Sequence, residues 1–219
     1  RAYAGLSQTL ELMPYYTPTS AESVFDRAVS AARFALAHDS LLAEAHMSLG
    51  LAYLHSWRWK DARAEFERAV AVDPADVQAH FQFGRFYYYV GELDQALAEF
   101  RRAQQLDPYS ALAASWSGTL LAQTGRVADG RAEVRRSFDF DSIGTVSKLF
   151  GARVDLAAGH RDSALRIVDR LPDIAPWTGM RAYVHAAAAD RATAITIVRQ
   201  LEAQSPRPWF GNASLGFAY

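Results

Sequence analysis

The chain contains no cysteine. That removes disulfides, thiolate nucleophiles and cysteine-ligated zinc, and leaves the compartment open because any redox environment tolerates the absence. Net charge is nearly missing too: 23 Lys and Arg stand against 24 Asp and Glu. No overall field draws the chain to nucleic acid or to an anionic membrane. No stretch approaches 18 uninterrupted apolar residues, and the opening RAYAGLSQTLELM has no basic segment followed by an apolar one. Neither membrane insertion nor a secretory leader is expected. The expected location is cytoplasmic, with an extracytoplasmic one left open. Because the first residue is Arg1 and not Met, the chain reads as a fragment of a longer protein. Chemical motifs are equally scarce. There is no glycine-rich phosphate loop, no Gly-x-Ser-x-Gly elbow and no His-x-x-x-His pair. Asp139 and Asp141 in DFDS lie close together without a calcium-loop pattern, which reads as a solvated turn. No catalytic residue, metal or cofactor is expected, and an enzyme is not the expected class.

What is present is a period. AEAHMSLGLAYLHSWRWKDARAEFERAVAVDP (43–74) and VQAHFQFGRFYYYVGELDQALAEFRRAQQLDP (77–108) align with a step of 34 residues. His46 lies over His80, Leu49 over Phe83, Gly50 over Gly84, Tyr53 over Tyr87, Ala62 over Ala96, Phe66 over Phe100 and Pro74 over Pro108. The spacings i, i+3, i+4 and i+7 are those of two amphipathic helices forming a hairpin. Gly50 with Ala62 and Gly84 with Ala96 are small where the helices should cross closely. Gly118, Gly125, Gly130 and Val134, then Ala152, Gly159, Ala164 and Pro176, keep the phase. The step shortens to 30 where 152–171 matches 182–201. The segment MPYYTPTSAES reads as one long loop, with Pro14 and Pro18 breaking any helix and Thr19 or Ser20 capping the next.

Large residues at repeat positions 4, 7, 11 and 24, small ones at 8, 20 and 27, and proline at 32 resemble the tetratricopeptide repeat. The resemblance implies an all-α, right-handed superhelix of antiparallel hairpins, read as one domain over 1–219. Its hairpins are expected at about 1–40, 41–74, 75–108, 109–142, 143–176 and 177–206, with a partial helix over 207–219. The runs WRWKDARAEFERAVAVDPADVQAH and GELDQALAEFRRAQQLDPYSA resemble arrays C-terminal in bacterial winged-helix regulators and serine/threonine protein kinases. That resemblance implies a bacterial regulatory setting and a region that senses a partner or ligand.

In such arrays the first helices line a concave groove. Here that face carries Met47, Leu51 and His55, then Phe81, Gln82, Arg85, Tyr88 and Tyr89, then Trp116, and finally Phe150 and Arg153. The lysines and asparagines of the chaperone-tail clamp are absent, their slots being filled by Met47, Leu51, Gln82, Leu112 and Trp116. An aromatic groove with few charges suits a protein or peptide segment with apolar side chains, Arg85 meeting an acidic group. The competing reading is that curvature buries these rings. A different class, an assembly scaffold working through its ends or convex face as an end-to-end homo-oligomer, stands beside it. No direct nucleic-acid partner is expected, because Glu99 and Glu133 interleave with Arg101, Arg102, Arg131, Arg135 and Arg136. His46 and His80 read as structural, and Trp59 as core. Trp57 replaces a turn glycine, and both a stacking and a packing role remain open for it.

Overall fold

A computed structural model describes residues 1–16, 21–140, 144–171 and 175–203. The chain is all-α, a stack of helical hairpins, and no strand occurs among the described residues. It divides into two compact units, Arg1–Pro108 and Tyr109–Tyr219. The first unit holds α1 (Ala2–Tyr16), α2 (Ala21–His38), α3 (Ala43–His55), α4 (Trp59–Val72), α5 (Val77–Val90) and α6 (Leu93–Leu106). The second holds α7 (Ala111–Gln123), α8 (Val127–Phe140), α9 (Thr145–Ala157), α10 (Arg161–Val168), α11 (Ala175–Ala187) and α12 (Arg191–Ala203). No described helix is long and apolar enough to cross a membrane.

Local signals start and stop these helices. The Asp76 carboxylate accepts from the amides of Gln78 and Ala79 at 2.8 and 3.1 Å, capping α5. Asp73 and Asp107 end α4 and α6 in extended geometry, as the prolines after them require. One boundary differs from expectation. α1 continues through Pro14 to Tyr16, so no loop begins at Met13. A proline in the last turn forfeits only its own hydrogen bond to the Leu10 carbonyl, and twelve helical residues already precede it. Thr17–Ser20, Pro206 and the partial helix over 207–219 lie outside the described residues. Asp139 belongs to α8, not to a turn.

Each hairpin closes at a pair of small residues. Ser7 faces Ala28, and the Ser7 hydroxyl donates to the Ala28 carbonyl at 2.9 Å. The same two slots hold Gly50 and Ala62, Gly84 and Ala96, Gly118 and Gly130, Ala152 and Ala164, and Ala182 and Ala194. A methyl added at Gly84 would lie 2.7 Å from the Phe100 ring, and one at Gly118 would lie 2.7 Å from the Gly130 carbonyl oxygen. Around the crossings, Phe66 packs on Phe83 and Phe86 with ring centroids 5.8 and 5.7 Å apart, tying α4 to α5. Leu149, Ala152, Ala164 and Val168 form a second-unit core that reaches Val184 on α11.

The hairpin turns share one backbone feature. Trp57, Gly91, Gly125, Gly159 and Ala189 all adopt left-handed φ, between 60° and 89°. Three of the five are glycine, as this region favours. Trp57 holds the slot with an indole 72% exposed, stacked edge-on against partly buried Trp59 at 5.4 Å. It is therefore not a core residue, whereas Trp59 packs against the core cluster.

The crossings and turns differ in what they tolerate. At Gly130 a new Cβ would overlap the Gly118 carbonyl and approach the Ala122 amide nitrogen at 3.0 Å. Because backbone cannot rotate aside, Gly130→Ala is expected to cost about 1–3 kcal/mol. Gly50→Ala should cost less, since there the new atom meets only the Phe66 ring at 3.0 Å. Equal urea midpoints for the two variants would contradict this crossing geometry. Trp57→Gly should instead stabilise by about 1 kcal/mol, relieving left-handed strain that outweighs the extra chain entropy of glycine. Differential scanning calorimetry should show a raised melting temperature; a lowered one would mean that Trp57 makes favourable contacts exceeding its strain.

Candidate functional site

The first-helix face of the first unit is built from α1, α3 and α5. Helical spacing places Gln82, Arg85 and Tyr89 on one line of α5, three and four residues apart. The Arg85 guanidinium donates to the Gln82 side-chain oxygen at 2.7 Å and lies 3.4 Å from the Tyr89 hydroxyl. It also sits 5.8 Å from the Tyr89 ring centroid, within cation–π range. Tyr88 and Tyr89 meet edge-on at 6.0 Å. Tyr89 is 43% exposed, and Gln82, Arg85 and Tyr88 are half-buried. Phe81 is different: it is 6% exposed and packs on Phe100 of its own hairpin at 6.0 Å. Met47 and Leu51 are buried in the core cluster as well.

Beneath this face lie two titratable groups. Glu11 on α1 is buried, with a carboxyl oxygen 3.2 Å from the Ser7 hydroxyl. Burial holds its carboxyl well above the usual carboxylate range, with Ser7 and the charge of Arg85 opposing the shift. His55 stacks on Phe25 at 5.0 Å, and its Nδ1 is enclosed. Burial, assisted by the Arg85 charge, pushes its imidazole down to about 3. His55 is thus neutral near pH 7, and the shift on Glu11 favours its neutral form, beside the charged guanidinium of Arg85. Glu11 is not among the residues that the sequence motifs single out. The available signal was register: aligning α1 with α3 sets Glu11 over Leu54, an acid in a slot that the next hairpin fills with a buried leucine.

In the second unit, Trp116 on α7 and Phe150 on α9 pack at 5.1 Å, and the Arg153 guanidinium lies 5.6 Å from the Phe150 ring. Phe150 is buried, and Trp116 and Arg153 are half-buried. The expected site residues therefore fall into two groups, one in each unit.

The histidines at repeat position 4 act as staples. His46 Nδ1 lies 2.7 Å from Glu65 and its Nε2 3.1 Å from the Ser40 carbonyl. His80 repeats the arrangement, 2.6 Å from Glu99 and 3.1 Å from the Pro74 carbonyl. Each ring joins both helices of its hairpin to the turn before it. No group of three His, Asp or Glu side chains among the described residues is placed to hold a metal ion. The arginines of the second helices meet local acceptors: Arg136 pairs with Glu133 at 3.3 Å, and Arg102 donates to the Pro74 carbonyl at 3.2 Å.

Comparison with known proteins agrees with this architecture. Sequence models described as tetratricopeptide repeat match residues 43–76 and 81–139. No curated protein matches the sequence. Among solved structures, the chain resembles a thermophilic tetratricopeptide-repeat protein of Thermus thermophilus, with 19% identity over 85% of this chain and 99% of that one and a TM-score of 0.69. It also resembles PilF of Pseudomonas aeruginosa, at 19% identity over 97% and 94% with a TM-score of 0.66. A third likeness is to YrrB, described as having an unusual peptide-binding site, at 18% identity over 90% of each chain with a TM-score of 0.55. At these identities the likeness is one of fold.

Glu11 and the enclosed imidazole of half-buried His55 make stability depend on pH from both sides. His55, lowered in the folded chain, contributes stability that is present above its ordinary value of 6.5 and lost as pH falls towards about 3. Glu11, raised, contributes stability that is present below its ordinary value of 4.5 and lost as pH rises through its elevated one. Each full unit of pH inside either window is worth up to about 1.4 kcal/mol. His55→Phe should therefore flatten the acid limb of a urea-midpoint profile, and the gain from Glu11→Gln should grow with pH. Parallel profiles for wild type and both variants would contradict the burial of these groups.

Proposed function

Because the chain is an array of tetratricopeptide repeats, we propose that it is a non-catalytic interaction module whose first-helix face in unit 1 takes up a protein or peptide segment. The observation that carries this reading is the accessible group of Gln82, Arg85, Tyr88 and Tyr89. A cation there is oriented by a side-chain carbonyl and bordered by two tyrosines, one of them exposed. Tyrosine rings offer large contact area at low entropic cost, and the guanidinium offers a fork for a carboxylate. His55, neutral near pH 7, adds no second cation beside that guanidinium. The peptide-binding site described for YrrB lends the fold a precedent. The segment bound is apolar with an acidic residue. The setting is a bacterial regulatory protein, in keeping with what the sequence runs around Trp59 and Gly91 resemble.

A second reading rests on the outer edge of the first hairpin, where Tyr3 and Phe34 stack at 4.3 Å with both rings nearly half exposed. An assembly scaffold would use such an edge and leave the α5 face idle.

Selection from a random-peptide display library separates the two. Peptides combining apolar side chains with an acid should be enriched on the wild type, and Tyr88→Ala with Tyr89→Ala should weaken them about thirty-fold, the equivalent of about 2 kcal/mol for an anchoring ring. Arg85→Ala should remove the salt dependence of binding. Enrichment that survives the double tyrosine variant, with both proteins folded, would overturn the groove reading.

A further inference from the structure

The turn between α3 and α4 departs from the other turns of the array. Trp57, Gly91, Gly125, Gly159 and Ala189 hold the same left-handed slot in five hairpins. Three are glycine and one is alanine; the fifth is tryptophan, at φ 60°. At an ordinary position burial would offset such strain, yet this indole is 72% exposed, its ring meeting that of Trp59 edge-on with the planes at 79° and the centroids 5.4 Å apart. Folding does not account for the residue. Backbone held in a disfavoured region is a feature of ligand clamps, where the bound partner supplies the contacts that the free protein lacks.

The side chains around the indole share one hydrogen-bonding character. The turn runs Trp57, Arg58, Trp59, Lys60, and tryptophan, arginine and lysine side chains donate without accepting. Asp61 follows as an acceptor, and Arg58 is anchored on it, with Nε and Nη2 at 2.7 and 2.6 Å from the same carboxylate oxygen. The Arg58 guanidinium also lies 4.1 Å from the centroid of the Tyr53 ring, while Arg33 of α2 donates to the Tyr53 hydroxyl at 2.7 Å. A second cation from the preceding hairpin thus borders the turn. Lys60 is exposed in the first turn of α4. Within this group three cations, Arg33, Arg58 and Lys60, stand against one acid.

We propose that the corner formed by Trp57 and Trp59 docks a proline-rich segment of a partner protein, in extended polyproline geometry and with an acidic residue beside the docked proline. Proline has no N–H, so a run of prolines offers carbonyl acceptors without backbone donors, the complement of side chains that donate and do not accept. Polyproline geometry leaves those carbonyls without internal partners, and because it is preformed it loses little entropy on binding. Two indoles set nearly at right angles give a prolyl ring two walls to pack against, and one of them is open to solvent. The surplus of cations favours an acid next to that proline. Nucleic acid also presents acceptors, but three cations, one of them already paired with Asp61, are few for a phosphate backbone whose binding depends on many. The corner shares no residue with Gln82, Arg85, Tyr88 and Tyr89, so it stands or falls independently of the peptide-binding reading of the α5 face.

The chain's five tryptophans give five indole N–H signals in a proton–nitrogen spectrum of the full chain, and the one lost in Trp57→Gly belongs to Trp57. Titration with a polyproline peptide carrying one central glutamate should move that signal along a saturable curve. Followed on the backbone amides of 56–61, binding by Trp57→Gly should be at least about tenfold weaker, the scale of losing an anchoring ring, while the melting temperature holds or rises. A residue with a merely structural role would not separate the two readouts in this way. Asparagine also tolerates left-handed φ, so Trp57→Asn decides the matter if the glycine variant misfolds. Lys60→Ala should weaken the glutamate-bearing peptide more than an all-proline one. A Trp57 signal that does not saturate, equal shifts with a glycine-serine peptide of the same length, affinity unchanged in Trp57→Gly, or saturable binding of oligothymidylate or anionic vesicles in place of the proline peptides would each overturn the proposal.

Discussion

The distance at which two helices of a hairpin may approach governs most of what is built on this chain. At repeat positions 8 and 20 nothing larger than serine is found in any of the six hairpins, and the atoms facing each other there include backbone carbonyls. Close approach sets the crossing, the crossing aims positions 7, 11 and 24 inward, and those residues in turn reach the next hairpin, as Phe66 does towards Phe83 and Phe86. No hairpin buries its apolar stripe alone, so stability comes from stacking, and the faces left over are free to vary. Variation is what the first-helix face of α5 displays.

Charge is organised by the same register. Glutamate at position 23 recurs in three hairpins, where it meets a histidine or an arginine from a fixed distance along the repeat. Exposed pairs of this kind contribute little to stability. The staples at His46 and His80 are more enclosed, and they bridge helices that lie far apart in sequence. Glu11 and His55, by contrast, carry ionisable groups into surroundings that disfavour their charged forms, close to the half-buried Arg85.

Much of this was legible from periodicity, since spacing alone places the small residues, the turn glycines and the prolines after α4 and α6. Local rules failed where context overrode them. Pro14 suggested a break, yet near the end of a helix it sacrifices one hydrogen bond and the chain continues. Phe81 reads by position as a groove residue, but a ring at position 5 is long enough to fold back onto Phe100. Glu11 does not stand out in the sequence, because a lone acid between Leu10 and Leu12 reads as solvated until α1 is set in phase with α3. For the site residues, position fixed the helix and the face, whereas accessibility depended on how neighbouring rings settled, which no spacing encodes.

The shortened step between the last two matched segments bears on how such a chain tolerates loss. α10 spans 8 residues where α4, α6 and α8 span 14, and the phase of the next hairpin moves by four residues. The shortening falls after Val168, where α10 ends, so Ala164 and Val168 keep their bearing within the helix and still share one core with Val184. Length changes in an array of this kind are therefore absorbed where one helix stops and the next begins, beyond the residues that set the crossing.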